Sequence, residues 1–165
     1  DIRSALSSFM PSSSQTPGRL NFFHFKNFTI LADFAHNPHG LKLLGDFINK
    51  LDYPKKIGLI SGTGDRRDED IRELGNLSAK YFDEIIIRCD KNLRGRTAEE
   101  IITLLKEGID SQNPDIPTMI IANEEEALEY IYAHPQHGAL YTVMCDVVTG
   151  ALDKIKELKD RENNS

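Results

Sequence analysis

The chain has 165 residues, of which 39% are hydrophobic and 28% charged, and its formal net charge is −6. This length and composition are typical of one globular domain with a substantial core. The negative charge disfavours partners that select basic surfaces, so we expect neither nucleic acid nor an anionic membrane to bind. A nucleotide needs only a local positive site and is not excluded.

We expect a cytoplasmic protein. The apolar runs fall short of the roughly 18 residues that a membrane helix needs, and the opening residues lack the pattern of a signal peptide. Cys89 and Cys145 stand in separate apolar runs and form no CxxC motif, so we expect reduced thiols in the core.

The first part of the chain predicts a linker and then a hairpin. Residues 7–19, SSFMPSSSQTPGR, are rich in serine and proline and are typical of a loop. We expect residues 1–19 to be the tail of a preceding domain, because the chain starts with an aspartate and has the character of a fragment. The segments LNFFHF and FTILADF flank Lys26 and Asn27, which predicts a β-hairpin with its turn there.

From residue 38 onward, helical and strand patterns alternate. Helices are predicted over PHGLKLLGDFINKL, DEDIRELGNLSAKYF, TAEEIITLLKEGI, EEEALEYIYAH and VTGALDKIKELKD, and strands over KIGLISG, EIIIRC, PTMIIA and ALYTVMC. We expect residues 161–165, RENNS, to fray. The alternation indicates an α/β fold with a mainly parallel sheet covered on both faces. Ligands bind such sheets beyond the carboxyl ends of the strands, so the loops that follow the strands form the candidate site.

The first of these loops, in LADFAHNPHG, predicts an anion site. Asn37 suits a helix N-cap and Pro38 the first helical position, which leaves free N–H donors that suit a phosphate. Asp33 could accept hydrogen bonds from ribose hydroxyls, and His36 could donate to a phosphate oxygen. Alternatively, Asp33 and Asn37 only cap a helix and His36 pairs with a backbone carbonyl. A metal site formed with His39 is a weaker alternative, because no further ligand is placed at a typical interval.

The second loop, SGTGDRRDED, combines glycines with charged residues. Gly62 and Gly64 allow a tight turn and a close approach to a ligand, but Arg67 stands where a dinucleotide fingerprint has its third glycine. Asp65 and Arg66 could line a polar pocket for a zwitterionic ligand. The alternative is that these charges are solvated at the start of a helix.

The third loop, DKNLRGR, begins with Asp90 and carries two arginines. Arg94 and Arg96 flank Gly95 and could bind a carboxylate bidentately. No GxxxxGK[ST] motif occurs in the sequence, so the chain has no phosphate-binding P-loop of its own.

These motifs carry a family resemblance that spans nearly the whole chain. TPGR followed by DFAHNP resembles the C-terminal domain of the Mur ligase superfamily. The superfamily contains the ATP-dependent amino-acid ligases of peptidoglycan synthesis, the folylpolyglutamate synthetases and the cyanophycin synthetases. The stretches GDRRDED and DKNLRGRTAEEI most resemble the Mur-like half of the cyanophycin synthetases.

The resemblance implies a fold and a reaction. The fold would be a Rossmann-like three-layer sandwich over residues 20–160, with a mainly parallel six-stranded sheet that has one antiparallel strand. This domain would close over a central P-loop ATPase domain of the same polypeptide. ATP and Mg²⁺ would be required, with most magnesium ligands supplied by other domains. A carboxylate would be activated as an acyl phosphate and attacked by an amine; in cyanophycin synthetases this half adds arginine to the aspartate side chains of a polymer.

The resemblance also implies residue roles. Arg19 would contact the ATP phosphates and Asp33 the ribose, while His36 and Asn37 would lie on the nucleotide side. Arg19 and His36 would be the catalytic residues. The predicted binding site for an amino-acid or polypeptide substrate comprises Asp65, Arg66, Asp90, Arg94 and Arg96.

Some implications concern the whole enzyme and its alternatives. The full-length enzyme is expected to be a homo-oligomer, and this chain alone is expected to be inactive. In the diaminopimelate-adding ligases an Asp-Asn-Pro-Arg motif holds the amino acid; here Leu93 takes the proline position, so the ligand should differ. A peptidoglycan ligase or a folylpolyglutamate synthetase is the alternative enzyme. The non-enzymatic alternative is a free-standing nucleotide-binding or receiver-like module, but a receiver needs an acidic pair and Asp33 stands alone.

Overall fold

The computed structural model describes residues 19–145 and 148–165. The predicted linker over residues 1–18 therefore lies outside the described residues. The described residues form six strands and five helices: β1 (Asn21–His24), β2 (Thr29–Asp33), α1 (Pro38–Ile48), β3 (Lys56–Ile60), α2 (Asp68–Tyr81), β4 (Glu84–Ile87), α3 (Ala98–Gln112), β5 (Thr118–Ile120), α4 (Glu124–Ala133), β6 (Leu140–Met144) and α5 (Val148–Asn163).

The predicted hairpin is confirmed. Strands β1 and β2 pair antiparallel, with Phe23 opposite Ile30. The turn around Lys26 and Asn27 is closed by the Phe25 N–H, which donates to the Phe28 carbonyl at 2.9 Å. The two phenylalanine rings stack with centroids 4.5 Å apart, so apolar packing supports the turn.

The sheet has the strand order β1-β2-β6-β3-β4-β5, and every pair except β1–β2 is parallel. The last strand of the chain, β6, thus lies between β2 and β3. This insertion brings the carboxyl ends of β2, β6, β3 and β4 side by side at one edge. The expected α/β fold, with a mainly parallel six-stranded sheet and one antiparallel strand, is confirmed.

Helices cover both faces of the sheet. Successive residues of β2 point to opposite sides, because Leu31 joins one apolar cluster while Ile30 and Ala32 join the other. The first cluster contains residues of α1, α2 and α3, and the second contains residues of α4 and α5. The fold is therefore a three-layer sandwich. Within the described part of the chain, no helix is both long and apolar enough to span a membrane.

The end of α5 contacts other elements of the domain. The sequence predicts that residues 161–165 fray, whereas in the structure α5 continues to Asn163. Arg161 donates to both carboxylate oxygens of Glu129, at 3.0 and 2.9 Å. Glu162 is 8% exposed and accepts a hydrogen bond of 2.8 Å from the backbone N–H of Lys26. The end of α5 therefore supports the turn of the β1–β2 hairpin.

Glu162→Gln should lower the free energy of unfolding by about 1 kcal/mol at neutral pH, since it weakens charge-assisted hydrogen bonds. Burial opposes ionisation, but the ammonium of Lys159 and the N–H of Lys26 prevail and lower the pKa of Glu162. A lowered pKa means that the stabilisation is present at neutral pH and is lost as the pH falls through the folded-state pKa.

Denaturant unfolding of both proteins at several pH values measures this effect, and the difference should shrink below about pH 4. Glu157→Gln is the matched control, because Glu157 lies on the same helix with an exposed side chain. It should change stability little. A difference for Glu162→Gln that grows with acidity would contradict the prediction.

Candidate functional site

A cavity of about 190 Å³ lies at the carboxyl ends of β2, β6, β3 and β4. We call it the strand-end cavity. Four residues predicted to bind substrate line it, namely Asp65, Arg66, Asp90 and Arg94. The wall also contains His36, Ser61, Thr63, Arg88 and Asn92. The loops after four adjacent strands thus bring together charges of both signs. This agrees with the prediction that the candidate site lies in the loops that follow the strands.

Arg88 also lines the cavity, although no sequence motif predicted a role for it. It is 2% exposed and directly follows β4. One terminal nitrogen pairs with Asp90, and the other donates to the carbonyl of Met144 and lies 3.2 Å from a carboxylate oxygen of Glu124. Its Nε has no hydrogen-bond partner among the described residues. The arginine therefore links the ends of β4 and β6 to the start of α4, across the intervening β3.

Among the described residues, Asp90 is bound through only one of its two carboxylate oxygens. Its Oδ1 accepts hydrogen bonds from Arg88 and from the Ser61 hydroxyl, the latter at 2.7 Å. Because both bonds use Oδ1, Oδ2 keeps its capacity to accept a hydrogen bond from a ligand. A fixed carboxylate with one available oxygen suits an ammonium or guanidinium group.

Arg94 adopts an unfavourable backbone conformation at the mouth of the cavity. Its φ is 53°, in the left-handed region, and Gly95 follows with a φ of 87°. Its guanidinium lies 3.4 Å from Asp65, and each of these side chains is 52% exposed. An exposed pair of this kind contributes little stability, while the left-handed conformation costs about 1 kcal/mol or more. The Arg94 N–H donates to the side-chain oxygen of Asn92 at 3.0 Å, which supports this conformation and keeps Arg94 at the cavity.

Arg96 has a different environment from Arg94. Its guanidinium donates to the carbonyls of Gly64 and Arg66, both at 3.0 Å, and pairs with Asp68 at 2.7 Å. It lies outside the strand-end cavity. These contacts tie the loop after β4 to the loop after β3 and favour a structural role; binding of a substrate carboxylate by Arg96 stays a prediction.

The two loops also touch at Gly64. A Cβ at this position would lie 1.9 Å from the carbonyl oxygen of Leu93. We expected this glycine to allow a ligand to approach, but the structure shows that it allows the neighbouring loop to approach.

A second cavity, of about 350 Å³, lies where the chain enters the domain. We call it the linker cavity. Arg19, Asp33 and Asn37 line it, and residues 34–36 line both cavities. The residues predicted to contact a nucleotide are thus grouped next to those predicted to contact the substrate. Nδ1 of His36 lies 3.0 Å from the carbonyl oxygen of Phe34, as in the alternative that pairs this ring with the backbone.

Asp33 and Asn37 both engage the backbone. Asn37 is the N-cap of α1, since its side-chain oxygen accepts from the Gly40 N–H at 2.7 Å. Asp33 is 6% exposed, and its two oxygens accept from the N–H groups of Leu20 and Ala35, each at 2.9 Å. Burial raises the pKa of Asp33, although both hydrogen bonds oppose the rise. Asp33 therefore holds the backbone at Leu20, near the start of the described residues, and does not cap α1.

Across residues 19–145 and 148–165, no group of three or more His, Cys, Asp or Glu side chains is placed to hold a metal ion. Both cysteines are free; Cys145 is buried as expected, whereas Cys89 is partly exposed. Burial raises the pKa of the Cys145 thiol to about 12.

The fold is an α/β domain of the doubly wound type, and residues 34–36 line both the strand-end cavity and the linker cavity. The family model described as "Mur ligase, glutamate ligase domain" matches residues 18–147. The chain belongs to this family, which confirms the resemblance seen in its motifs.

Two cyanophycin synthetases are among the similar curated proteins. The chain is 38% identical over 94% of its length to that of Geminocystis herdmanii, and 37% identical over 96% of its length to that of Synechocystis. It spans only 18% of the length of each relative.

Solved structures support the same fold. A UDP-N-acetylmuramoyl-L-alanyl-D-glutamate–2,6-diaminopimelate ligase superposes with a TM-score of 0.75 at 16% identity, over 92% of this chain and 33% of that chain. A folylpolyglutamate synthase of Mycobacterium tuberculosis, complexed with ADP and AMPPCP, superposes with a TM-score of 0.61 at 21% identity, over 85% and 32%.

Proposed function

We propose that the chain is the C-terminal domain of a cytoplasmic, ATP-dependent amino-acid ligase that resembles cyanophycin synthetase. The whole enzyme would activate a carboxylate as an acyl phosphate, which an amine then attacks to form an amide. This domain would close over the ATP site of a central domain that supplies the phosphate cradle and most of the Mg²⁺ ligands. The similarity to cyanophycin synthetases over nearly the whole chain supports this proposal.

The observation that carries the proposal is the shared wall of the two cavities. Residues 34–36 separate a cavity lined by Arg19 and Asp33 from one lined by charges of both signs. A ligase must bring an amine next to an activated phosphate, and exclusion of water by closure protects the acyl phosphate. Two adjacent sites with a common wall meet this requirement.

The strand-end cavity would hold the incoming amino acid. Arg94 would bind its carboxylate, because a guanidinium forms paired hydrogen bonds with that group. The available oxygen of Asp90 would accept from the ammonium. Asp65 adds a second carboxylate that suits a cationic side chain, so we propose arginine as the amino acid added. Arg66, on the same wall, would contact the substrate.

The linker cavity would face the nucleotide. Arg19 would contact the phosphates and Asp33 the ribose, while Asn37 presents the start of α1 on the same side. His36 has Nδ1 engaged with a carbonyl, so only Nε2 is available to a ligand. When the ring is protonated, Nε2 can donate to a phosphate oxygen.

A peptidoglycan ligase that adds diaminopimelate is the second candidate. It is favoured by a relative of Caldanaerobacter subterraneus, a UDP-N-acetylmuramoyl-L-alanyl-D-glutamate–2,6-diaminopimelate ligase, which is 32% identical over 67% of this chain and matched over 22% of its own length. ADP release by the full-length enzyme separates the candidates when arginine, diaminopimelate and glutamate are compared as substrates. Stimulation by arginine alone supports the proposal, whereas stimulation by diaminopimelate alone replaces it.

Arg94→Gly should raise the KM for the amino acid at least tenfold while leaving folding stability within about 1 kcal/mol of wild type. Glycine accepts the left-handed conformation without steric cost, and the lost ion pair is exposed. Steady-state kinetics of the full-length enzyme and thermal unfolding of the chain measure the two effects.

Arg67→Ala is the matched control for this experiment. Arg67 carries the same charge in a neighbouring loop, bonds to Asp70 with an exposed side chain, and does not line the cavity. Its KM for the amino acid should stay at the wild-type value. Arg94→Gly kinetics equal to wild type would remove Arg94 from the proposed binding site.

A further inference from the structure

The peptide group between Arg19 and Leu20 is held from both sides. Its carbonyl oxygen, on Arg19, accepts a hydrogen bond of 3.2 Å from the side-chain amide of Asn21. Its N–H, on Leu20, donates to Asp33 at 2.9 Å. Both polar groups of a single peptide unit are thus bound by side chains of the domain, at the point where the chain enters it.

The two side chains that hold this peptide are anchored in the sheet. Asn21 is 1% exposed in β1, opposite Ala32 of β2, and Asp33 is 6% exposed at the end of β2. The second oxygen of Asp33 is fixed by the N–H of Ala35 at 2.9 Å. Buried polar side chains of this kind cannot reorient without losing hydrogen bonds, so the peptide is fixed relative to the sheet.

Leu20 shows that this geometry is imposed on the chain. Its φ is 47°, in the left-handed region that a leucine rarely adopts. Such a conformation persists only where its surroundings determine it, and it points to a functional constraint. Leu20 is therefore kept in a costly conformation by Asn21 and Asp33.

We propose that Asn21 and Asp33 form a clamp that positions Arg19 for phosphate contact. Arg19 has an exposed side chain on the wall of the linker cavity, and the clamp fixes the backbone from which it projects. A charged group stabilises a transition state best when it is oriented before the reaction starts. The clamp rests on the phosphate role of Arg19 proposed above, and it makes Asn21 and Asp33 positioning residues.

Asn21 gives the discriminating variant because it does not line the linker cavity, whereas Asp33 does. A loss of activity in an Asp33 variant could come from a lost ribose contact. Asn21 binds the carbonyl side of the held peptide, so a loss of activity in an Asn21 variant would not come from a direct contact with the ribose.

The experiment is a double-mutant cycle in the full-length enzyme with Asn21→Ala and Arg19→Ala. Asn21→Ala should lower kcat about tenfold or more with little change in the KM for ATP. In the Arg19→Ala background the same substitution should have no further effect, because the residue that it positions is gone. Equal losses in both backgrounds would overturn the clamp and leave Asn21 with a folding role.

A second variant and a second readout guard against misfolding. Leu20→Pro removes the N–H that Asp33 binds and cannot adopt a φ of 47°, so it should reproduce the kinetic loss without changing a buried polar residue. Trypsin cleavage after Arg19, followed by mass spectrometry, should be several-fold faster in Asn21→Ala than in wild type.

Ser78→Ala is the matched control, because Ser78 is a buried polar residue whose hydroxyl donates to the Leu74 carbonyl within α2. It should leave both kcat and cleavage after Arg19 unchanged. If Arg19→Ala lowers kcat but neither Asn21→Ala nor Leu20→Pro does, the clamp is wrong and the proposed function stands. If Arg19→Ala has no effect, the phosphate role fails and the clamp has no catalytic purpose.

Discussion

Arg88→Met is expected to lower the free energy of unfolding by about 3–5 kcal/mol, as measured by denaturant unfolding of the chain. The guanidinium is 2% exposed and contacts Asp90, Glu124 and the carbonyl of Met144. Methionine fills similar space but removes the cation from two partly buried carboxylates and a backbone carbonyl, and removal of one member of a buried ion pair is strongly destabilising.

The same substitution should impair the binding site in the full-length enzyme. Asp90 would lose one of the two groups that hold its Oδ1, so its carboxylate would no longer be fixed for the ammonium of a substrate. We therefore expect a raised KM for the amino acid under conditions where the variant is folded. Ser61→Ala removes only the weaker, neutral donor to Asp90 and should have a smaller effect in the same direction.

Arg72→Met is the matched control for stability. Arg72 pairs with Glu107 between α2 and α3, but the two side chains are 44% and 49% exposed. Exposed pairs contribute little, so unfolding should be close to that of wild type. If Arg88→Met unfolds like Arg72→Met, the buried arginine contributes no more than apolar packing would, and its role must lie in the site alone.

Arg88 also shows where prediction from sequence stops. It directly follows Ile85, Ile86 and Ile87 within EIIIRC, and a single arginine there does not reveal its partners. Asp90 is a neighbour in sequence, but the other two partners, Met144 and Glu124, are brought near only by the fold. The elements themselves were predictable, because alternation, apolar spacing and the Asn37 cap are local patterns.

Strand order explains which parts of the site could be anticipated. That charged loops would share one edge followed from the parallel sheet, since parallel strands end at the same edge. The position of β6 between β2 and β3 was not encoded in any local motif. The same limit applies to Arg96 and Gly64, whose patterns suit a ligand but whose contacts are with neighbouring loops. The position of Asn21 within LNFFHF likewise did not predict that its side-chain amide donates to the backbone carbonyl of Arg19.

Arg19→Lys is expected to lower kcat of the full-length enzyme by about 2–4 kcal/mol in transition-state stabilisation, or roughly 30- to 1000-fold. A guanidinium can bind phosphate oxygens with two parallel hydrogen bonds, whereas an ammonium is a point charge with a different reach. The clamp on the Arg19–Leu20 peptide fixes the backbone but cannot supply that geometry. Lysine keeps the charge, so any loss reflects shape rather than long-range attraction.

The stability of the domain separates this role from a structural one. The Arg19 side chain is exposed, so Arg19→Lys should unfold at the wild-type temperature. Arg161→Lys is the control. Arg161 lies on α5, far from Arg19 in sequence, and forms a bidentate ion pair with Glu129 of α4. This substitution should leave kcat unchanged. If Arg19→Lys instead melts earlier and ligates normally once folded, Arg19 serves the packing of the hairpin, and closure over the nucleotide must use another cation.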